Sequence, residues 1–159
     1  MSGEEPRFQA DAMLGGLARW LRALGVDVAF DARLDDAELV RAAQAEERWI
    51  LTRDRKLVER RAARRHLLVE SERLHDQVRQ VLARFAIEPR AERVLTRCLR
   101  CNTPLAELDA AAAAPHVPPF VLRTQDRFRR CPTCGRIYWR ATHVERMKQR
   151  LRAFGVALE

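Results

Sequence analysis

Arg7-Phe8-Gln9-Ala10-Asp11 is the first of four short apolar runs that end on, or next to, an acidic residue. Val26-Asp27-Val28-Ala29-Phe30 is followed by Asp31, Trp49-Ile50-Leu51-Thr52 leads through Arg53 to Asp54, and His66-Leu67-Leu68-Val69 leads to Glu70. Runs of this length and character fit buried strands. Between them the apolar spacing turns helical: Met13, Leu14, Leu17, Ala18, Leu21 and Leu24 recur after Asp11, and Gly25 is a natural helix stop. Asp35 followed by Glu38 resembles a capping box and opens a helix from Asp36 to Glu46. Asp54 is placed to cap a very basic helix, Arg55 to Arg65, and Ser71 to cap another, Arg73 to Phe85.

The order is βαβαβαβα, with a helix rather than a hairpin turn in every connection. Right-handed crossovers make this a parallel, three-layer α/β sandwich. Its strand ends then share one edge, with neighbouring strands ~4.8 Å apart, and open α/β sheets bind ligands outside that carboxyl edge. Carboxylates crowded there repel one another unless a cation relieves them, and oxygen-only ligands suit Mg²⁺ or Mn²⁺. Asp11 is the sharpest candidate, because it follows the first strand and begins a helix. It equally fits an N-cap, which needs only a side-chain oxygen, and Asp54 has the same two readings. Asp35 and Asp36 stand together where one suffices as cap. Asp31 and Glu70 fit the strand-end pattern and equally fit solvated loops. His66, His75, His116 and His143 show no ligand spacing.

Cys98-Leu99-Arg100-Cys101 and Cys131-Pro132-Thr133-Cys134-Gly135 are two CxxC knuckles. Paired knuckles supply the four thiolates of a tetrahedral, structural Zn²⁺ site, and four Cys ligands leave no open position for a reacting water. Redox CxxC motifs come singly. Around the knuckles lie Arg127, Arg129, Arg130, Arg136 and Arg140, interleaved with Phe128, Tyr138 and Trp139. Guanidinium groups beside aromatic faces are the composition of a single-strand binder; the same aromatics equally form the core of a small ribbon.

Charge divides unevenly. Residues 1–92 hold 17 Lys+Arg and 17 Asp+Glu, whereas residues 93–159 hold 13 basic and 5 acidic residues, so the whole net charge of +8 lies in the second part. We therefore expect a domain over 1–92 and a zinc ribbon with a basic surface and a C-terminal helix (Val144 to Phe154) over 93–159, the Ala/Pro-rich stretch Ala110 to Pro119 forming a loop. A polyanion held by one part and cut by the other is the function this division suggests; it equally fits a surface solvated by a chain in which arginine is simply common, with 28 Arg and 2 Lys. No apolar stretch approaches the ~20 residues of a membrane span. The N-terminus lacks the basic start and apolar core of a signal peptide, and a cytoplasmic location is expected.

Three segments in order, Phe8-Gln9-Ala10-Asp11-Ala12-Met13-Leu14-Gly15-Gly16-Leu17-Ala18-Arg19-Trp20-Leu21-Arg22, Leu34-Asp35-Asp36-Ala37-Glu38-Leu39 and Ile50-Leu51-Thr52-Arg53-Asp54, resemble the Mut-seven C-terminal RNase domain family, a branch of the PIN-like nucleases. The resemblance continues through both knuckles and Cys134-Gly135-Arg136-Ile137-Tyr138-Trp139 to near Met147. It implies a PIN-like three-layer sandwich followed by a small zinc ribbon, and a metal-dependent endoribonuclease that hydrolyses RNA, single-stranded by expectation, with Mg²⁺ or Mn²⁺. By motif, Asp11, Asp36 and Asp54 take the place of the metal-binding acids, and a fourth would be Asp31, Asp35 or Glu70. The alternative is an RNA- or ribosome-binding module with this fold and little or no activity. Three retained acids at one edge favour the enzyme.

Overall fold

Phe8–Ala10 (β1), Val28–Phe30 (β2), Trp49–Thr52 (β3) and His66–Leu68 (β4) form a four-stranded sheet in the order β2-β1-β3-β4, every pair parallel. The structure is a computed structural model that describes residues 3–158, without the side chains of residues 141–143, so the expectation for His143 lies outside the described residues. The chain divides into two compact units, residues 1–22 with 26–87, and residues 23–25 with 88–159.

In the first unit the connections are helical: Gly15–Ala23 (α1) after a 3-10 turn, Asp36–Ala45 (α2), Arg55–Val58 (α3), and Leu74–Arg84 (α4) after the last strand. Alternation along the strands separates two faces. Phe8, in register with Val28 and Trp49, meets the Phe85 ring edge to face at 4.8 Å, and Trp49 meets the same ring at 5.1 Å. Ile50, one residue on from Trp49, points the other way and packs with Leu39, Val40 and Ala43 of α2 and with Leu57 and Ala63. The expected three-layer sandwich around a parallel sheet is the observed one. β2 begins two residues later than expected, because the Val26 N–H closes onto the Leu21 carbonyl at 2.9 Å and ends the helix there.

At the amino edge of the sheet the buried Arg48 gathers three neighbouring segments. Its guanidinium donates to the Phe8 carbonyl (3.1 Å) and to Asp27 (2.7 Å), and pairs with Glu46. Burial alone would lower its pKa, but the hydrogen bonds to Asp27 and Glu46 outweigh that and hold it above the usual arginine value.

Helix α3 departs from the expected Arg55–Arg65 and stops at Val58. Leu57 and Ala63 are both buried in the same cluster, and a spacing of six residues puts them on different faces of a helix. The chain must turn to bury both. Ser71 does not cap α4 as a helix neighbour would; its Oγ accepts from the Arg73 N–H at 3.0 Å and donates to Asp76 at 3.1 Å.

In the second unit Ala106–Leu108 (β5), Phe128–Arg130 (β6) and Ile137–Trp139 (β7) form an antiparallel sheet in the order β5-β6-β7. The stretch Ala110 to Pro119 is not the expected loop. Asp109 accepts the Ala112 N–H at 2.7 Å and caps Ala110–Ala113 (α5), and Pro119 opens Pro119–Thr124 (α6), a first-turn position where its missing N–H costs nothing. Ala113, Val117 and Val121 then pack on Phe128 as one buried cluster of the unit. Ala141–Ala153 (α7) closes the chain. Among the described residues no helix is long and apolar enough to cross a membrane.

Candidate functional site

The strand order β2-β1-β3-β4 reverses direction between β1 and β3, since the chain leaves β1 toward β2 and leaves β3 toward β4. A crevice opens at the carboxyl ends of such a pair, and that is where α/β sheets bind ligands. Asp11 follows β1 and Asp54 follows β3 across this point.

Local geometry fixes both. Asp11 is extended (φ −68°, ψ 158°) and caps the 3-10 turn, its Oδ1 accepting the Ala12 N–H at 2.7 Å. Its own N–H donates to the Leu51 carbonyl at 2.9 Å, tying it to β3. Thr52 has no solvent exposure; its hydroxyl donates to Asp11 Oδ2 at 2.8 Å and accepts the Asp54 N–H at 3.0 Å. Asp54 Oδ1 accepts from the Lys56 N–H at 2.9 Å and caps α3. Both acids are therefore caps, as one reading of the sequence had it, and one buried hydroxyl holds them together.

The remaining acids are more dispersed. Asp35 and Glu38 form a full capping box at the start of α2, each side chain taking the other's backbone N–H at 2.8 Å. Asp36, next in the chain, is left out of the cap, and its Oδ2 lies 3.8 Å from Arg60 Nη2. Asp31 is held by the Arg33 side chain at 3.0 Å and by its N–H, which keep its carboxyl below the ordinary value. Glu70 is exposed at the end of the β4 strand. Among the described residues the only group of three or more metal-ligating side chains whose ligand atoms all lie within 4.8 Å of one another is the cysteine cluster. Asp11, Asp36 and Asp54 do not form such a group. Of these acids, Asp11 and Asp54 are the two that the Thr52 hydroxyl links.

Cys98, Cys101, Cys131 and Cys134 bring their sulfurs within 4.8 Å of one another, a four-thiolate set that fits Zn²⁺. Each knuckle turns so that the last cysteine's N–H faces the first one's sulfur, at 3.4 Å for Cys101 on Cys98 and 3.5 Å for Cys134 on Cys131. Gly135 supports the second turn with φ +77°. The Tyr138 hydroxyl lies 3.3 Å from Cys98 Sγ and accepts the Leu99 N–H at 3.1 Å. Burial pushes the Cys98 thiol up, but hydrogen bonds from Tyr138 and from the Cys101 and Arg100 N–H groups bring it down to about 6. Burial and the neighbouring sulfurs push Cys101 up to about 12.

The arginines and aromatics of this unit serve the fold more than their composition suggests. Phe128 is fully buried in the core, Trp139 packs against it, and Tyr138 faces the cluster. Arg129 donates to the Leu95 carbonyl at 2.9 Å and Arg140 to the Ala91 carbonyl. Arg127 and Arg129 share Glu107, at 3.3 and 3.5 Å. Burial, and then the charges of Arg129 and Arg127, depress the Arg140 pKa, so positive charge is crowded here. Arg130 and Arg136 flank the second knuckle.

Sequence reasoning did not single out Thr52 or the hydroxyl of Tyr138. For Thr52 the signal was present: a polar residue ending an apolar strand two positions before an acid.

A parallel α/β unit with paired acids at its crossover point, followed by a four-cysteine unit, defines a class of two-part proteins. A family model described as Mut7-C RNAse domain matches residues 6–151, nearly the whole chain, and the protein belongs to that family. No curated protein matches the chain, and no solved structure matches it.

Proposed function

We propose that this protein is a metal-dependent endoribonuclease of PIN-like type, with the reaction at the β1/β3 crossover and a zinc-stabilised ribbon assisting RNA binding. The observation that carries it is the Asp11–Thr52–Asp54 arrangement at the carboxyl edge, in a member of an RNase family. A bound Mg²⁺ or Mn²⁺ would polarise the scissile phosphate and lower the pKa of an attacking water. The chain's own part is to hold two carboxylates in place through backbone N–H groups and one hydroxyl. Asp36, at the start of α2, supplies a third charge, and Asp31, Asp35 or Glu70 a fourth. Arg127, Arg129, Arg130, Arg136 and Arg140 add positive charge for a single strand. A cytoplasmic setting belongs to the same reading.

One observation favours a second reading, an RNA- or ribosome-binding module with little or no activity: Asp11 already spends both oxygens on intramolecular hydrogen bonds. The two separate in one experiment. Purified protein should cleave single-stranded RNA only with Mg²⁺ or Mn²⁺ added, and Asp11→Asn or Asp54→Asn should abolish cleavage with the fold intact. Asn keeps the volume and the capping oxygen while removing the charge. Equal cleavage by wild type and both variants would assign the activity to a contaminant and leave the binding module.

A further inference from the structure

Residues 55–65 carry six cations, Arg55, Lys56, Arg60, Arg61, Arg64 and Arg65, against one acid, Glu59. All six are exposed. The segment is nevertheless anchored, because Leu57 and Ala63 are buried against α2 and Ile50, and the Ala62 carbonyl accepts from Gln44 at 3.0 Å. Burial of these two residues forces the remaining side chains outward on a fixed backbone. Among the described residues the side chains of Arg55, Lys56, Arg61 and Arg64 have no ion-pair or hydrogen-bond partner. The first unit is neutral as a whole, so this concentration is local.

Its direction matters. The segment starts beside Asp54 at the carboxyl edge, where Arg60 also reaches Asp36 at 3.8 Å. It ends at the amino edge, where Arg65 donates to the Glu47 carbonyl at 3.4 Å. The two edges are separated by the length of β3, about 13 Å at ~3.3 Å per residue, room for several phosphates. At the far end an open cavity of about 250 Å³ lies between the segment and the end of α2, walled by Arg64 and Arg65 over Ala43 and Ile50. That is smaller than the ~300 Å³ at which small-molecule sites begin, and it suits one flat moiety of a longer ligand whose charged chain stays outside.

We infer that the α3 segment of the nuclease unit is a backbone track for single-stranded RNA, leading phosphates from the Arg64–Arg65 cavity to the carboxyl edge. This deepens the ribonuclease reading and rests on it. The track supplies phosphate contacts within the first unit itself, whereas several of the second unit's arginines are committed to carbonyls and to Glu107.

The test is binding of fluorescein-labelled oligouridine and of a mixed-sequence RNA to the full chain, without added divalent ions or chelator. Cleavage is then withheld and the cysteine site undisturbed. The variant Lys56→Ala/Arg61→Ala/Arg64→Ala changes only exposed side chains; circular dichroism and zinc content check its fold. Phosphate contacts act by counterion release, with a salt slope of ~0.7 per contact on single strands. Both RNAs should bind roughly tenfold or more weakly, with the slope reduced by about two. Arg127→Ala/Arg136→Ala serves as the comparison in the second unit. If the triple variant binds like wild type with the same slope, the track is wrong and its cations serve another partner, while the ribonuclease reading stands. If wild type neither binds nor cleaves RNA, both fall.

Discussion

A hydroxyl without solvent access joins the two loops that carry Asp11 and Asp54. Thr52 donates to one carboxylate and accepts from the other loop's backbone N–H, so its removal orphans a donor and an acceptor together. Thr52→Val keeps shape and β-branching while deleting the hydroxyl. Leaving a buried polar group unmade costs about 1–3 kcal/mol. Urea unfolding of the variant should show a loss in that range, with the slope of the transition unchanged. Thr52→Ser, which keeps the hydroxyl, should recover most of it. A Val variant as stable as wild type would mean that the two acids are positioned by their backbone bonds alone. Arg48 illustrates the same economy at the other edge, where one guanidinium holds Phe8, Asp27 and Glu46 in a buried setting. Deleting one side of such a pair strands the other.

At the scale of elements, Gly25 carries a constraint that a side chain cannot meet. It ends the first helix at φ +84°, and a Cβ there would lie 2.6 Å from the Arg93 carbonyl oxygen and 2.9 Å from Thr96 Oγ1. Gly25→Ala therefore pays twice, in a left-handed backbone and in a clash with main chain, and should lower stability by at least about 2 kcal/mol. Thermal unfolding checks it; a shift no larger than that of an exposed Gly3→Ala control would show that the Arg93–Thr96 turn simply moves. The helix stop was legible in the sequence, and so were the strands, the capping box at Asp35 and the four cysteines, because each is set by neighbours close in the chain. What failed was set by distant ones. The basic stretch after Asp54 has good helix formers, yet burial of both Leu57 and Ala63 bends it. The Ala/Pro stretch looked structureless until Ala113, Val117 and Val121 found Phe128. Strand ends alone put Asp11 and Asp54 at the carboxyl edge of the sheet, but their link through Thr52 depends on the strand order, and neither follows from local pattern. Arg129 and Arg140 read as solvent-facing cations because a sequence does not show the carbonyls they reach.

For the whole molecule the two units hold themselves together by different means. The first buries a conventional core on both faces of its sheet. The second has three-residue strands and a cluster of buried side chains, Ala113, Val117, Val121 and Phe128, with Leu108, Leu122, Ile137 and Trp139 partly buried around it, and Val94, Leu95, Met147 and Leu151 buried elsewhere in the unit. Modules of this size gain only a small margin from apolar burial alone, and a staple such as a metal widens it. The four-cysteine cluster is suited to that role, since it brings together Cys98 and Cys101 before β5 with Cys131 and Cys134 between β6 and β7, and four thiolates fit Zn²⁺. Structural zinc contributes ~10–16 kcal/mol to folding in zinc-finger peptides, a term large enough to decide whether a unit of this size folds. Reduced protein purified without added zinc should hold about one equivalent per chain. Stripping it with a strong chelator should open residues 93–159 to protease while the fragment containing Phe8 to Phe85 resists. Restoring Zn²⁺ should restore protection, and Cys134→Ser should mimic the stripped state. Protection unchanged by chelation, in a sample shown to be metal-free and without disulfides, would mean that the apolar core and the β5-β6-β7 sheet suffice without a metal.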